Sequence, residues 1–201
     1  MRNKNEKSGE WKNAIWDLDG TLLDSLNMWL MLARRYLTCM GIEEIPDDLE
    51  EIVDSMSLEE SAAYLKTQFG LSFSHEEIME QFMSLVRGLY REELSFFPCT
   101  RQKVLDLYDA GCRMCLLTTT EKECAEAALR RGGIRHCFEQ IYTCSDLGMN
   151  KRSPRIYRKT CEIMGFEPAE TMIYEDADYA LESAADSGCL VTDVNEWLNN
   201  S

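Results

Sequence analysis

Short apolar runs alternate with helix-forming segments along most of this chain, and that alternation predicts its architecture. The runs at 14–16, 114–117, 141–144, 172–174 and 189–191 are each too short for a helix and suit strands buried on both faces. Helical start and stop signals lie between them. Thr120-x-x-Glu123 reads as a capping box opening a helix that ends near Gly132. Ser153-Pro154 reads as an N-cap followed by a first-turn proline, with a stop at Gly165. A further helical stretch runs from Asp178 to Ser187 and stops at Gly188. Strands alternating with helices predict right-handed crossovers and a mainly parallel sheet.

One segment departs from the alternation. From about Ser25 to Phe96 the pattern is helical only. Leu26, Leu30, Ala33, Leu37 and Met40 recur at helical spacing before a stop at Gly41. Ser57-x-x-Glu60 opens another helix, ending near Gly70. Ser74-x-x-Glu77 opens a third, with Ile78, Phe82, Leu85, Val86 and Leu89 on one face. A helix-only insertion behind the first strand of an α/β sheet predicts a separate cap or lid. The expected organisation is therefore a discontinuous α/β core, residues 1–24 and 96–201, carrying a small all-helical cap at 25–95. The polar stretch at 1–10 has no apolar period and is expected to be disordered. Trp29, Tyr36 and Phe82 fall at helical spacing and read as core residues.

Composition narrows the function more than the fold. The 201 residues are 45% hydrophobic and 28% charged, the balance of an ordinary globular domain. A net charge of −15 repels nucleic-acid phosphates and anionic lipid and attracts divalent cations. No apolar run is long enough to cross a bilayer, and the N-terminus lacks an apolar leader; a cytoplasmic location is expected. The nine cysteines then read as reduced thiols. Cys112 and Cys115 form a single C-x-x-C, weak evidence for a redox or zinc role. His75 and His136, the only histidines, read as bystanders, which disfavours a Ser-His-Asp hydrolase.

The chemistry-bearing residues collect at strand ends, where ligands bind in open parallel sheets. Asp17-Leu18-Asp19-Gly20-Thr21 follows the first strand; Thr118, Thr119 and Thr120 follow the second; Asn150-Lys151 stands ahead of a helix start; Glu175-Asp176 follows the fourth strand. Carboxylates at i and i+2 of extended chain point to one side. One can attack phosphorus while the other handles the leaving-group proton. A carboxylate approaches a phosphate dianion only if charge is neutralised, which Mg²⁺ supplies on oxygen ligands. Asp17 and Asp176 would hold it, while Lys151 and Thr118 hold phosphate oxygens and Gly20 admits close backbone approach. Glu175 has two readings: contact to a metal-bound water, or pairing with a nearby base. Taken singly, Lys151 reads equally as a solvated surface charge, and Thr118 as an ordinary strand end; their co-location carries the argument.

At these residues the chain resembles the haloacid dehalogenase superfamily. D-x-D-G-T-L-x-D-S stands at Asp17 to Ser25, the hydrophobic run ending in threonine is MCLLT with Thr118, the motif lysine is Lys151 followed by Pro154 and Tyr157, and the acidic motif is Glu175-Asp176 ahead of an alanine-rich helix. The helical insertion looks like the cap of the β-phosphoglucomutase and phosphoglycolate phosphatase branch. The resemblance implies a Rossmann-like core, Asp17 as nucleophile, Asp19 as general acid and base, an aspartyl-phosphate intermediate and Mg²⁺ held among Asp17, Asp19, Asp176 and Glu175. It further implies phosphate binding by Gly20, Thr118, Thr119 and Lys151. Departures are Arg152 where the motif often carries proline, Thr119 where asparagine or serine is frequent, and Ala177 and Ala180 after the acidic pair. The expected activity is hydrolysis of a small phosphorylated metabolite by a monomer or weak homodimer. A phosphosugar mutase is the alternative, disfavoured because 55–60 lacks the arginine such caps tend to carry. A receiver-type signalling domain and a non-catalytic relative fit less well, since the former has no cap after its first strand and the latter would not keep every charged group.

Overall fold

The computed structural model describes residues 11–198; the expectation of disorder at 1–10 lies outside them. In chain order the elements are β1 (Asn13–Trp16), α1 (Leu26–Leu30), α2 (Leu32–Cys39), α3 (Leu49–Val53), α4 (Leu58–Gln68), α5 (His75–Glu92) and α6 (Pro98–Asp109). There follow β2 (Arg113–Thr118), α7 (Lys122–Arg131), β3 (Gln140–Thr143), α8 (Cys144–Leu147), α9 (Pro154–Met164), β4 (Thr171–Glu175), α10 (Asp178–Ala185), β5 (Leu190–Asp193) and α11 (Asn195–Leu198). Among the described residues no helix is long and apolar enough to cross a membrane.

The chain divides into two compact units, one holding the residues up to Asp24 and from Leu94 onward, the other Ser25–Glu93. The first is an α/β unit around a five-stranded parallel sheet of order β3-β2-β1-β4-β5. The fold class is that of a Rossmann-like parallel sheet, and β1 lies at its centre with β2 on one side and β4 on the other. The direction of winding reverses there, so the carboxyl ends of these three strands open the crevice in which such sheets bind ligands. Buried Ile15, Cys115, Leu117 and Ile173 project from the sheet against Ile156, Tyr157 and Cys161 of α9 and Ala184 of α10. The expectation of strands buried on both faces holds for β1 and β4 but not for β5, every residue of which is half-buried. An edge strand has one neighbour instead of two.

The local signals fare unevenly. Ser57 and Ser74 form reciprocal capping boxes with Glu60 and Glu77, as their spacing predicts. Ser153 caps α9 ahead of Pro154, and Gly165 ends it in the left-handed conformation. Thr120 does not cap α7, whose N-cap is Glu121 without a side-chain bond; its hydroxyl is drawn elsewhere. Cys144 leaves the third strand and opens α8, where Thr143 and Asp146 form a capping box that pattern reading missed.

The helical unit packs Tyr36 edge-on against Phe82, 4.6 Å between ring centres, with Leu37, Leu49, Leu65 and Ile78 around them. The single amphipathic helix expected from Leu26 to Met40 is broken at Met31 into α1 and α2. Ala33 and Leu37 are buried as expected, whereas Leu26, Leu30 and Met40 are exposed, and Trp29 is not a core residue. The break rotates α1, and Leu26, Trp29 and Leu30 line a cavity of about 290 Å³ together with Val53, Met56 and Phe82.

The C-x-x-C lies in surroundings that disfavour the thiolate. Cys115 is buried mid-strand in β2, and burial pushes both its thiol and that of Cys112, the latter to about 11, away from reactivity.

Candidate active site

Three strand ends and one loop assemble the site. β1 delivers Asp17, whose amide donates to the Tyr174 carbonyl of β4 at 3.0 Å, so the register of the central pair fixes the carboxylate against the end of β4. β4 ends at Glu175 with Asp176 next, and α10 starts two residues later. β2 ends at Thr118. The loop before α9 brings in Lys151, braced by Asn150, which accepts the Arg152 amide on its side-chain oxygen at 3.1 Å and the Ser153 amide on its carbonyl at 3.2 Å.

Lys151 is the organising charge. Its side chain is only 3% exposed, between the carboxylates of Asp17 and Glu175, themselves 8% and 2% exposed. The ammonium donates to Asp17 Oδ1 and, at 2.5 Å, to Glu175 Oε1. An ammonium buried alone would cost several kcal/mol, and two carboxylates in contact offset that penalty. Burial by itself would depress the lysine, but the Asp17 and Glu175 charges prevail and hold it protonated. With three N–H donors and two engaged, one remains for an incoming anion.

The carboxylates are differentiated by their neighbours. Burial pushes Asp17 up to about 7; the Lys151 ammonium opposes the rise, and the Glu175 and Asp19 charges add to it. Burial and the Asp17 charge push Asp176 up to about 6, against the hydrogen bond from Thr21. That bond, Thr21 Oγ1 to Asp176 Oδ1 at 2.9 Å, and one from Asn195 Nδ2 to the Asp176 carbonyl at 2.8 Å, hold the residue in place. Glu175 accepts the Asp176 amide on Oε2 at 3.1 Å, so both of its oxygens already serve N–H donors. The Tyr157 hydroxyl lies 3.5 Å from Glu175 Oε1 and 3.4 Å from the Ala180 carbonyl.

One carboxylate oxygen each from Asp17, Glu175 and Asp176 lie within 4.8 Å of one another. Hard oxygen donors gathered at that spacing suit a cation such as Mg²⁺. The burial that raises Asp17 and Asp176 marks a cluster short of positive charge. Asp19 stands outside this trio. Its Oδ2 accepts a 2.5 Å hydrogen bond from Thr120 Oγ1, and the Thr120 amide in turn donates to Thr118 Oγ1 at 3.0 Å. Thr118 is fully buried, whereas Thr119 is exposed on the loop. Gly20 has φ +79°, and its own amide donates to the Leu23 carbonyl at 2.9 Å. What the glycine visibly supplies is space, since a Cβ there would lie 2.2 Å from Asp176 Oδ2.

Structure thus brings Lys151 into contact with Asp17 and Glu175, sets Asp176 beside them, and places Asp19 and Gly20 on the loop after β1 and Thr118 at the end of β2. Pattern reading assigned no site role to Thr21, Thr120 or Tyr157. Thr21 and Thr120 stood among the strand-end residues and Tyr157 beside the motif lysine, and the capping-box reading of Thr120 left its hydroxyl without a site role.

Comparison with known proteins gives the family of the chain. The chain is 23% identical over 189 residues to the fructose-1-phosphate phosphatase YqaB of Escherichia coli, covering 92% of this chain and 96% of that protein. It is 26% identical over 185 residues to the phosphoglycolate phosphatase of Neisseria gonorrhoeae, covering 90% and 78%. In structure it is similar to a provisionally assigned β-phosphoglucomutase from Thermotoga maritima, with a TM-score of 0.80, 19% identity and coverage of 94% and 97%. The family model described as haloacid dehalogenase-like hydrolase matches residues 14–194, nearly the whole described chain, and the protein belongs to that family.

Proposed function

We propose that this enzyme is a Mg²⁺-dependent phosphatase that hydrolyses a small phosphorylated metabolite through a phosphorylated Asp17. The observation that carries the reading is the buried Lys151 ammonium held between Asp17 and Glu175, beside Asp176, at the carboxyl ends of β1 and β4. The names of the curated relatives, phosphatases of a sugar phosphate and of phosphoglycolate, support the same class.

An Asp17 carboxylate oxygen attacks phosphorus as the bond to the leaving oxygen breaks, and Asp19 gives that oxygen its proton. Asp19, now ionised, takes a proton from water as the water attacks the phosphorus, releasing inorganic phosphate and restoring Asp17. Thr120 holds Asp19 in position through its 2.5 Å hydrogen bond. The remaining N–H of Lys151 and the hydroxyl proton of Thr118, whose oxygen already accepts the Thr120 amide, are available to the phosphoryl oxygens. Asp17 and Asp176 would hold Mg²⁺, with Glu175 occupied behind them by Lys151. The bound cation would neutralise the charge that otherwise keeps nucleophile and phosphate apart. Such help is needed in a chain of net charge −15.

The test is phosphate release from p-nitrophenyl phosphate and a panel of phosphorylated metabolites, with Mg²⁺ or with EDTA, beside Asp17→Asn. Release that needs Mg²⁺ and vanishes in the variant is the expected result. Recovery of an isomeric sugar phosphate in place of inorganic phosphate would instead favour a mutase. Release undiminished by EDTA or by Asp17→Asn would sink the proposed chemistry.

A further inference from the structure

Arg152 sits beside the site with its charge uncommitted. The chain carries 36 acidic residues against 21 lysines and arginines, and most arginines of the α/β unit bond a carboxylate or a backbone carbonyl. Arg152 does neither: among the described residues its side chain meets the ring of Tyr179, with the guanidinium carbon 4.3 Å from the ring centre. The stacked face leaves the edge of the guanidinium, with its five N–H donors, open.

Both members of this pair are anchored by site residues. Arg152 follows Lys151 directly, and its amide is fixed by Asn150 Oδ1 at 3.1 Å. Tyr179 lies in the first turn of α10, three residues beyond Asp176. Burial raises the Tyr179 phenol. The Arg152–Tyr179 pair therefore joins the segment that carries Lys151 to the helix that follows Asp176. Where the resembled motif often carries a rigid proline, this chain has a forked cation on an aromatic platform.

We propose that Arg152, positioned by Tyr179, is a specificity-determining residue that binds a second anionic group of the substrate, a carboxylate or a second phosphate, distinct from the phosphate that is cleaved. This inference rests on the phosphatase reading. A planar guanidinium fork matches both anions in bidentate fashion, and a lysine does not reproduce that geometry. A fixed cation also counters the repulsion that a chain of net charge −15 exerts on a multiply charged substrate.

The experiment compares kcat/KM of the full chain and of Arg152→Ala, with Mg²⁺, on p-nitrophenyl phosphate, phosphoglycerate and a sugar bisphosphate. The expected result is a loss of about tenfold or more on at least one of the doubly anionic esters, mostly in KM, with a change of about twofold or less on p-nitrophenyl phosphate. Which ester suffers separates a carboxylate from a second phosphate. Arg152→Lys should recover part of the loss, Tyr179→Phe should keep the discrimination because the platform remains, and Tyr179→Leu should weaken it. Equal losses on all three esters, or none, would overturn the inference while leaving the phosphatase reading intact. No release from any ester by the unaltered enzyme would overturn both.

Discussion

Thr120 Oγ1 donates a 2.5 Å hydrogen bond to Asp19 Oδ2, joining the loop after β2 to the loop after β1. The same threonine turns its amide onto Thr118. Removing the hydroxyl alone leaves the backbone bond in place, so Thr120→Val should fold and should lower kcat about tenfold with little change in KM. A hydrogen bond to a charged group contributes about 1.5–3 kcal/mol, and about 1.4 kcal/mol is a factor of ten in rate. Thr120→Ser should restore most of the activity. Wild-type kcat in Thr120→Val would show that Asp19 needs no such partner.

Lys151→Met removes the cation from between two carboxylates that are almost fully buried. Breaking a buried ion pair at one partner costs about 3–5 kcal/mol. For a chain of this size that is a fall in Tm of roughly 10 °C, read by calorimetry or circular dichroism. Phosphate release should also be lost. A variant as stable as the wild type would mean the ammonium contributes to catalysis but not to folding.

Gly20→Ala meets two obstacles: φ +79° and a Cβ position 2.2 Å from Asp176 Oδ2. The backbone strain is on the order of 1–3 kcal/mol. The carboxylate has to move, so the Mg²⁺ concentration giving half-maximal activity should rise about tenfold or more. An unchanged Mg²⁺ requirement would place the cation away from Asp176.

The raised carboxyls make metal-free stability depend on pH. Asp17 at about 7 and Asp176 at about 6 bind protons more tightly in the folded state than in the unfolded chain, where both titrate near 3.8. The native state therefore holds more protons between about pH 4 and about pH 7, and stability falls as pH rises through that window. With EDTA present, Tm should be lower at about pH 7.5 than at about pH 5, and Asp176→Asn should flatten the slope. Mg²⁺ should raise Tm more at the higher pH, where it need not displace protons. A metal-free Tm that climbs across the window would contradict the burial effect.

The five strands, the helices α4, α5, α7, α9 and α10 and the chemistry-bearing residues at the strand ends were legible in the chain, whereas α3, α6, α8 and α11 were not read there. Short apolar runs have few ways to be buried, and serine–glutamate pairs such as Ser57–Glu60 satisfy helix-end amides within four residues. Signals that short need no distant partner to be read. Tertiary packing decided the rest. Thr120 has the spacing of a cap, yet a carboxylate 101 positions earlier takes its hydroxyl. Leu26 and Leu30 have the period of a buried face, yet the break at Met31 turns them to a cavity and to solvent. Lys151 as a letter is a soluble surface charge; only the parallel register of β1 and β4 places Asp17 and Glu175 on either side of it and makes its burial tolerable. Periodicity and capping are local and can be read along the chain, whereas the protonation and partners of buried charges depend on what the fold brings within a few ångströms.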